Sequence, residues 1–370
     1  MEKLVDLKRF WNGKKVLITG HTGFKGSWLT LLLTELGANV FGFSKDENAE
    51  RINWLAVKRF LPDDNFELID ICDYYKVKNY VQQVEPNFIF HLAGQPLVHD
   101  AFLDPIQTIR TNVLGSSNIL ELFCNSVLIK SCIIATSDKV YSDSGSTAYD
   151  ETSKLGGNEI YSASKASVEL ITSAYSTAYR NLISEKGKGL ATVRAGNVLG
   201  GGDWSKNRII PDLFKAVMYK KPLEIRNENY IRPWQYILDV LYGYLMLGKN
   251  LSLYPNKFSG AWNFSNPETE LQVGLLVKKF QNNLFDKFSI NLELVSSNNE
   301  DYKFHETKTL LLNSTKAVSS LGWKPYYSVD EIADDTCEWY VNFPKNIESP
   351  DLIYNLNLLV IKKFFDKVNS

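Results

Sequence analysis

Cysteine is scarce in this 370-residue chain: Cys72, Cys124, Cys132 and Cys337 are scattered, with no C-x-x-C or C-x-H spacing. That pattern excludes a zinc knot and a disulfide framework, and it fits a reducing compartment. Three of the four histidines, His21, His91 and His99, fall in separate turns without ligand spacing, so no metal is expected. Neither sign of charge is in excess. With 41 Lys and Arg against 42 Asp and Glu, the formal net charge is −1, and no global basic field points to nucleic acid or an anionic membrane as partner. No apolar run reaches membrane-spanning length, and the opening "MEKLVDLKRFWNGKK" has no signal-peptide core. Repeats and low-complexity segments are absent. A cytoplasmic protein is the expectation. With 44% hydrophobic residues the chain can bury a large core, and its length predicts two subdomains.

The order of elements comes next. "KKVLITG" reads as a buried strand, "GSWLTLLLTELG" as a helix ended by Gly37, and "ANVFGFS" as a second buried strand. "FELID", "PNFIFHLA", "IKSCIIATS" and "GLATVRAG" read as further strands, alternating with helices over "TIRTNVLGSSNILELFCNS" and "YSASKASVELITSAYSTAYR". Such alternation predicts an α/β fold, a doubly wound parallel Rossmann sheet. After Gly196 the pattern turns glycine-rich, then helical and mixed, as in a smaller mixed α/β lobe. The predicted division is 1–196 plus about 230–265 for the sheet domain and about 197–229 plus 266–370 for the lobe. The amphipathic "LIYNLNLLVIKKFFDKV" is expected to be a docked closing helix.

Two motifs carry chemistry. In "ITGHTGFKGSWL", Gly20, Gly23 and Gly26 stand between strand and helix, where glycines permit a tight turn and close approach to a pyrophosphate at the helix N-terminus. Asp70 closes the third strand and can accept from an adenine amino group, with Ile71 packing on the ring. Asp46, after the second strand, favours NAD through the ribose hydroxyls, while the preceding Lys45 leaves NADP open. The second motif is Tyr161-x-x-x-Lys165. On a helix these two share a face, so the lysine can hold the nicotinamide ribose and depress the phenol's pKa, making Tyr161 a general base. Upstream, Ser137, Asp138 and Lys139 end a strand, placing an acid beside an amine.

The strings "TGHTGFKGSWL", "HLAGQPLV", "TNVLGSSNILE", "TSDKVY", "YSASKA", "RAGNVLGGGDW" and "IRPWQYILD" resemble the extended short-chain dehydrogenases acting on nucleotide sugars. Among these the chain is most similar to the CDP-glucose 4,6-dehydratases, over nearly its whole length. The resemblance implies NAD as cofactor and CDP-glucose as substrate. C4 is oxidised, water is lost across C5 and C6, and the hydride returns to C6. Asp138 and Lys139 then serve as acid and base, with Ser137, Tyr161 and Lys165 completing the catalytic set. The implied cofactor contacts are Gly20, Thr22, Gly23, Phe24, Gly26, Asp70, Ile71, Leu92, Ala93, Asn112, Tyr161 and Lys165. The implied substrate contacts are Gln95, Asn197, Arg208, Arg226, Arg232 and His305, the last paired with Glu306.

Two other classes stay open on the residues alone. A C4 epimerase or reductase would keep the cofactor loop and Tyr161, but would not need Asp138 and Lys139 as a pair. A non-catalytic dinucleotide-binding regulator would need no activated tyrosine. A homodimer is expected, because the helices holding Asn118–Phe123 and Val168–Tyr175 carry more apolar positions than one sheet face needs.

Overall fold

The computed structural model describes residues 2–46, 52–143, 148–296, 307–343 and 350–370. The strands among them are β1 (Lys15–Thr19), β2 (Asn39–Ser44), β3 (Phe66–Leu68), β4 (Phe88–His91), β5 (Ser131–Ala135), β6 (Gly189–Ala195), β7 (Asn197–Leu199), β8 (Leu223–Ile225), β9 (Ile231–Tyr236), β10 (Gly260–Phe264), β11 (Glu270–Gln272) and β12 (Leu294–Ser296). Val16, Leu17 and Ile18 of β1 are apolar without alternation, as a strand with helices above and below requires, and all three are fully buried. β1 lies inside a seven-stranded sheet of order β10-β6-β5-β4-β1-β2-β3. Every pairing in it is parallel. This is the doubly wound sheet expected. The strand order reverses between β1 and β4, and such a sheet binds its ligands in the crevice beyond the strand ends at that point.

One strand of this sheet is absent from the six that the sequence predicts. "GAWNF" forms β10 and extends the sheet past β6, while Asn197, just after β6, belongs to a different sheet. It begins β7, which pairs with β9 in a small sheet of order β11-β9-β7. β8 and β12 form a separate parallel pair.

The helix Phe24–Glu35 is apolar nearly all round, with Gly26 to Leu33 buried consecutively. It ends before Gly37, whose φ of +83° suits a residue without Cβ. The final helix, Pro350–Asn369, buries Ile353, Val360, Ile361, Phe364 and Val368 and packs on helices Glu2–Trp11 and Ile52–Lys58. Full burial of one such side chain contributes about 2 kcal/mol, so the helix is docked as its pattern predicts. Within that contact Asn357 Nδ2 donates to Asn53 Oδ1 (2.6 Å) and Asn53 Nδ2 donates to Ser27 Oγ (2.9 Å). No helix among the described residues is long and apolar enough to cross a membrane.

The apolar surplus lies only in part where the sequence suggested. Ile119, Leu120, Leu122, Phe123 and Val168 are all buried within the subunit. Exposed instead, on the same helical layer, are Phe102, Leu103, Ile106, Ile109, Leu114 and Leu170.

Candidate active site

The site forms where β1, β4 and β5 end. Gly20 follows β1 with φ of +75°, and a Cβ there would lie 2.7 Å from Ala93 N. A Cβ on Gly26 would lie 2.1 Å from Gly20 O. Turn and helix therefore touch backbone to backbone. Gly23 caps helix Phe24–Glu35 without a side-chain bond, and no acidic residue stands in the first turn. The first amides and the positive end of the helix dipole are thus left for an anion. Thr22 N donates to Ser44 Oγ (3.2 Å) at the end of β2, which holds the turn in place. His21 turns inward, its ring edge-on to Trp54 at 4.4 Å between centroids. Glycines whose Cβ positions are already filled by backbone, followed by an uncapped helix start, fit the diphosphate of a dinucleotide.

At the neighbouring strand ends, Asp70 Oδ1 accepts from Cys72 N (2.9 Å), and Lys45 Nζ lies 3.8 Å from Asp70 Oδ2. Asp46 is exposed. Ile71 packs against Gly115, where a Cβ would lie 2.6 Å from Ile71 Cγ2. Thr19 Oγ1 accepts from Ala93 N (3.1 Å) and pairs with His91 Nδ1 (2.7 Å), while His91 Nε2 pairs with Ser116 Oγ (2.9 Å). Burial, aided by the Lys165 charge, pushes His91 down to about 3. His91 is therefore a neutral brace that holds Leu92 and Ala93 at the crevice.

Asn112 sits in a single π-helical turn, Arg110–Leu114, of the kind that often re-aims a side chain at functional sites. Its Oδ1 accepts from Gln95 N (2.8 Å), and its Nδ2 donates to Ser164 Oγ (2.8 Å). The Gln95 amide donates to Leu97 O (2.9 Å) and Thr108 Oγ1 (3.1 Å). Both amides are engaged with protein partners. Beside them, a Cβ on Gly94 would lie 3.0 Å from Asn112 Oδ1 and 3.3 Å from Lys165 Nζ, so a larger residue would press on both side chains.

β5 delivers the proton-handling group. Ser137 opens a short turn over Asp138–Val140, its Oγ accepting from Lys139 N (3.2 Å) and donating to Asp138 Oδ1 (2.8 Å). Asp138 is only 3% exposed. Burial raises its pKa, and the charges of Lys139, Arg232 and Lys25 with the Ser137 bond pull the other way. Opposite stands helix Ile160–Ala178, started by a capping box between Glu159 and Ser162. One turn in, Lys165 Nζ donates to Ala135 O (3.1 Å), and burial brings its ammonium down to about 8. Tyr161 differs from expectation. Burial pushes its phenol up to about 12, and the hydrogen bond with Ser137 offsets this only in part.

On the other side of the turn a cleft is lined by Lys139, Asp143, Tyr149, Glu159, Arg232 and Thr307. Arg232 Nη1 donates to Ile231 O (2.9 Å) and Lys308 O (3.2 Å), and its guanidinium lies 5.2 Å from the Tyr230 ring centre. Arg208 Nη1 is 3.1 Å from Asp203 Oδ2 and is felt by both Tyr161 and Lys25. Arg226 follows β8 and its charge acts on Asp212. His305 and Glu306 lie outside the described residues. Lys25 escaped the sequence reading: burial and the charges of Arg208 and Lys165 bring it down to about 8, and Asp138 lies within its field. Its place between two glycines of the cofactor turn was the available signal. Among the described residues no group of three or more His, Cys, Asp or Glu could hold a metal.

Residues 17–336 match the family described as GDP-mannose 4,6 dehydratase. The CDP-glucose 4,6-dehydratase of Salmonella typhimurium is 38% identical over 337 residues, covering 90% of this chain and 92% of that protein. A crystal structure of dTDP-glucose 4,6-dehydratase from Bacillus anthracis in complex with NAD superposes with a TM-score of 0.72 at 20% identity, over 90% of this chain and 97% of that one. An epimerase from Methanothermobacter thermautotrophicus gives 0.77 at 23% identity, over 95% and 97%. These two likenesses speak for the fold.

Proposed function

Because the chain belongs to the GDP-mannose 4,6-dehydratase family, we propose that it converts CDP-glucose to CDP-4-keto-6-deoxyglucose and water. The observation that carries the reading is the acid beside an amine at the end of β5, within a chain 38% identical to a CDP-glucose 4,6-dehydratase. NAD fits the Gly20–Gly26 cradle, and its chemistry is to take the C4 hydride and give it back to C6. Tyr161, bonded to Ser137, removes the C4 hydroxyl proton, and the Lys165 ammonium favours the tyrosinate that this step requires. Once C4 is a ketone, the C5 proton is acidic. Lys139 takes it, and Asp138 protonates the departing 6-hydroxyl so that water leaves. The raised pKa of Asp138 suits a donor.

For the diphosphate, the Arg232 guanidinium is held by two backbone carbonyls at the cleft rim, with Asn197 and Arg208 nearer the β6 end of the crevice. Residues 1–196 with about 230–265 hold the dinucleotide, and the remainder forms the lobe that, together with Arg232, holds the sugar nucleotide. The exposed Phe102, Leu103, Ile106, Ile109, Leu114 and Leu170 form the face on which a second copy packs, giving a homodimer. Four free thiols agree with work in the cytoplasm. Incubation with CDP-, dTDP-, UDP- and GDP-hexoses is the test. A 4-keto-6-deoxy product from CDP-glucose is expected, and turnover of another nucleotide with none of CDP-glucose would overturn the substrate assignment.

A further inference from the structure

Tyr161, Lys165 and Glu169 stand at i, i+4 and i+8 on one face of helix Ile160–Ala178. Glu169 is 4% exposed and has no assigned part in the chemistry. Its Oε1 accepts from Thr136 Oγ1 (2.5 Å) and Arg194 Nε (2.8 Å), and its Oε2 accepts from Thr192 Oγ1 (2.7 Å) and Arg194 Nη2 (2.8 Å). The carboxylate is saturated and forked onto the guanidinium. Arg194 Nη1 reaches on to Tyr141 Oη (2.7 Å), and that hydroxyl donates to Asn263 Oδ1 (2.7 Å) on β10. Thr136 directly precedes Ser137, and Tyr141 follows Lys139 by two residues. The turn carrying acid and amine is therefore hung at both ends from one buried ion pair, whose carboxylate stands on the same helix as Tyr161 and Lys165 and whose guanidinium stands on β6.

We propose that Glu169, with Arg194, is a positioning unit that fixes the Ser137–Lys139 turn relative to Tyr161 and Lys165. A buried pair of this kind is a weak source of stability, because desolvation consumes much of its attraction. Its geometry has another use. Elimination needs Asp138 and Lys139 on the hexose that Tyr161 has just oxidised, and a misplacement of about 1 Å can cost on the order of a hundredfold in rate. Glu169 also opposes the loss of charge that burial imposes on Lys165. The identity of the two half-reactions rests on the dehydratase reading above; the suspension of the turn does not.

Thr136→Val and Tyr141→Phe each remove one bond to the pair and leave the pair itself intact. In each, kcat is expected to fall at least about tenfold with KM for the sugar nucleotide held within about twofold. Thr136→Ser, which restores the hydroxyl, is expected to recover most of the rate. Wild-type kcat in both variants, or a Ser variant no better than Val, would overturn the inference. If the wild-type protein turns over none of the hexoses, the dehydratase reading fails by itself. The inference is then read from amide hydrogen exchange across residues 136–141, which Thr136→Val should speed and Thr136→Ser should not; unchanged exchange in Thr136→Val would overturn it.

Discussion

Ser137 Oγ donates to Asp138 Oδ1 at 2.8 Å, while Asp138 Oδ2, equally buried, has no hydrogen-bond partner among the described residues. One oxygen is anchored and the other is left for a proton and whatever receives it. A buried unsatisfied oxygen costs about 1–3 kcal/mol, which a bound hydroxyl would recover. Asp138→Asn should therefore slow loss of the 6-hydroxyl yet still allow C5 exchange with deuterated solvent. Lys139→Met should stop that exchange and accumulate NADH with the 4-keto hexose nucleotide. Near wild-type turnover by Lys139→Met would reduce the amine to a solvated neighbour.

Tyr161 and Lys165 make a pH prediction. A phenol pushed up to about 12 gains base form as pH rises, whereas an ammonium brought down to about 8 loses its charge over the same range. NADH formation in the first half-reaction should rise with pH and then level off near pH 8. In Lys165→Arg, whose charge persists to about pH 12 and beyond, the rise should continue. Tyr161→Phe should form no NADH at all, and normal NADH formation there would remove the tyrosine from the mechanism.

Arg232 is expected to read the diphosphate through a two-pronged contact. Arg232→Ala should weaken sugar-nucleotide binding by about 2 kcal/mol, roughly thirtyfold in Kd by calorimetry. Arg232→Lys keeps the charge without the fork and should recover only part. Equal affinity in all three proteins would place the diphosphate elsewhere.

The βαβ frame, the glycine turn, strands β1 to β6 and the docked final helix were legible in the sequence, because each depends on local spacing of apolar residues and glycines. Side-chain commitments were not. The bonds from the Asn112 amide to Ser164 and from the Gln95 amide to Leu97 and Thr108 were not visible in the sequence, since Asn112 is aimed by a π-helical turn and Thr108 lies 13 positions from Gln95. The phenol of Tyr161 was expected below its ordinary value because a lysine lies one turn away; burial, which spacing does not encode, moved it upward. Arg194 and Glu169 meet across a strand and a helix. The exposed Ile106 and Leu170 could be told from the buried Ile119 and Val168 only once the helices were packed.

Asp239 gives a prediction on stability. It accepts from Tyr326 N (2.9 Å) and Tyr327 N (3.2 Å), tying the 323–328 segment to helix Ile237–Leu253, and burial raises it to about 7. Between about pH 4, where an unfolded aspartate ionises, and pH 7 the folded state holds a proton that the unfolded state has lost. Stability from this group is therefore full at low pH and declines toward pH 7, with a slope of up to about 1.4 kcal/mol per pH unit. Asp239→Asn should remove that slope from denaturant titrations, while being less stable at acid pH because one amide N–H then faces a backbone N–H. An unchanged slope would mean that the carboxylate does not titrate in this range.

The chain of amides from Ser27 through Asn53 to Asn357 joins residues 304 positions apart at its far link. During synthesis, the glycine turn and its helix emerge from the ribosome long before the segment that completes their support. A nascent chain lacking residues 350–369 has Asn53 without its Asn357 partner and the apolar side of helix Ile52–Lys58 uncovered. The turn that receives the cofactor thus leans on a distant segment, so a chain cut before residue 350 is expected to bind NAD more weakly as well as to be less stable.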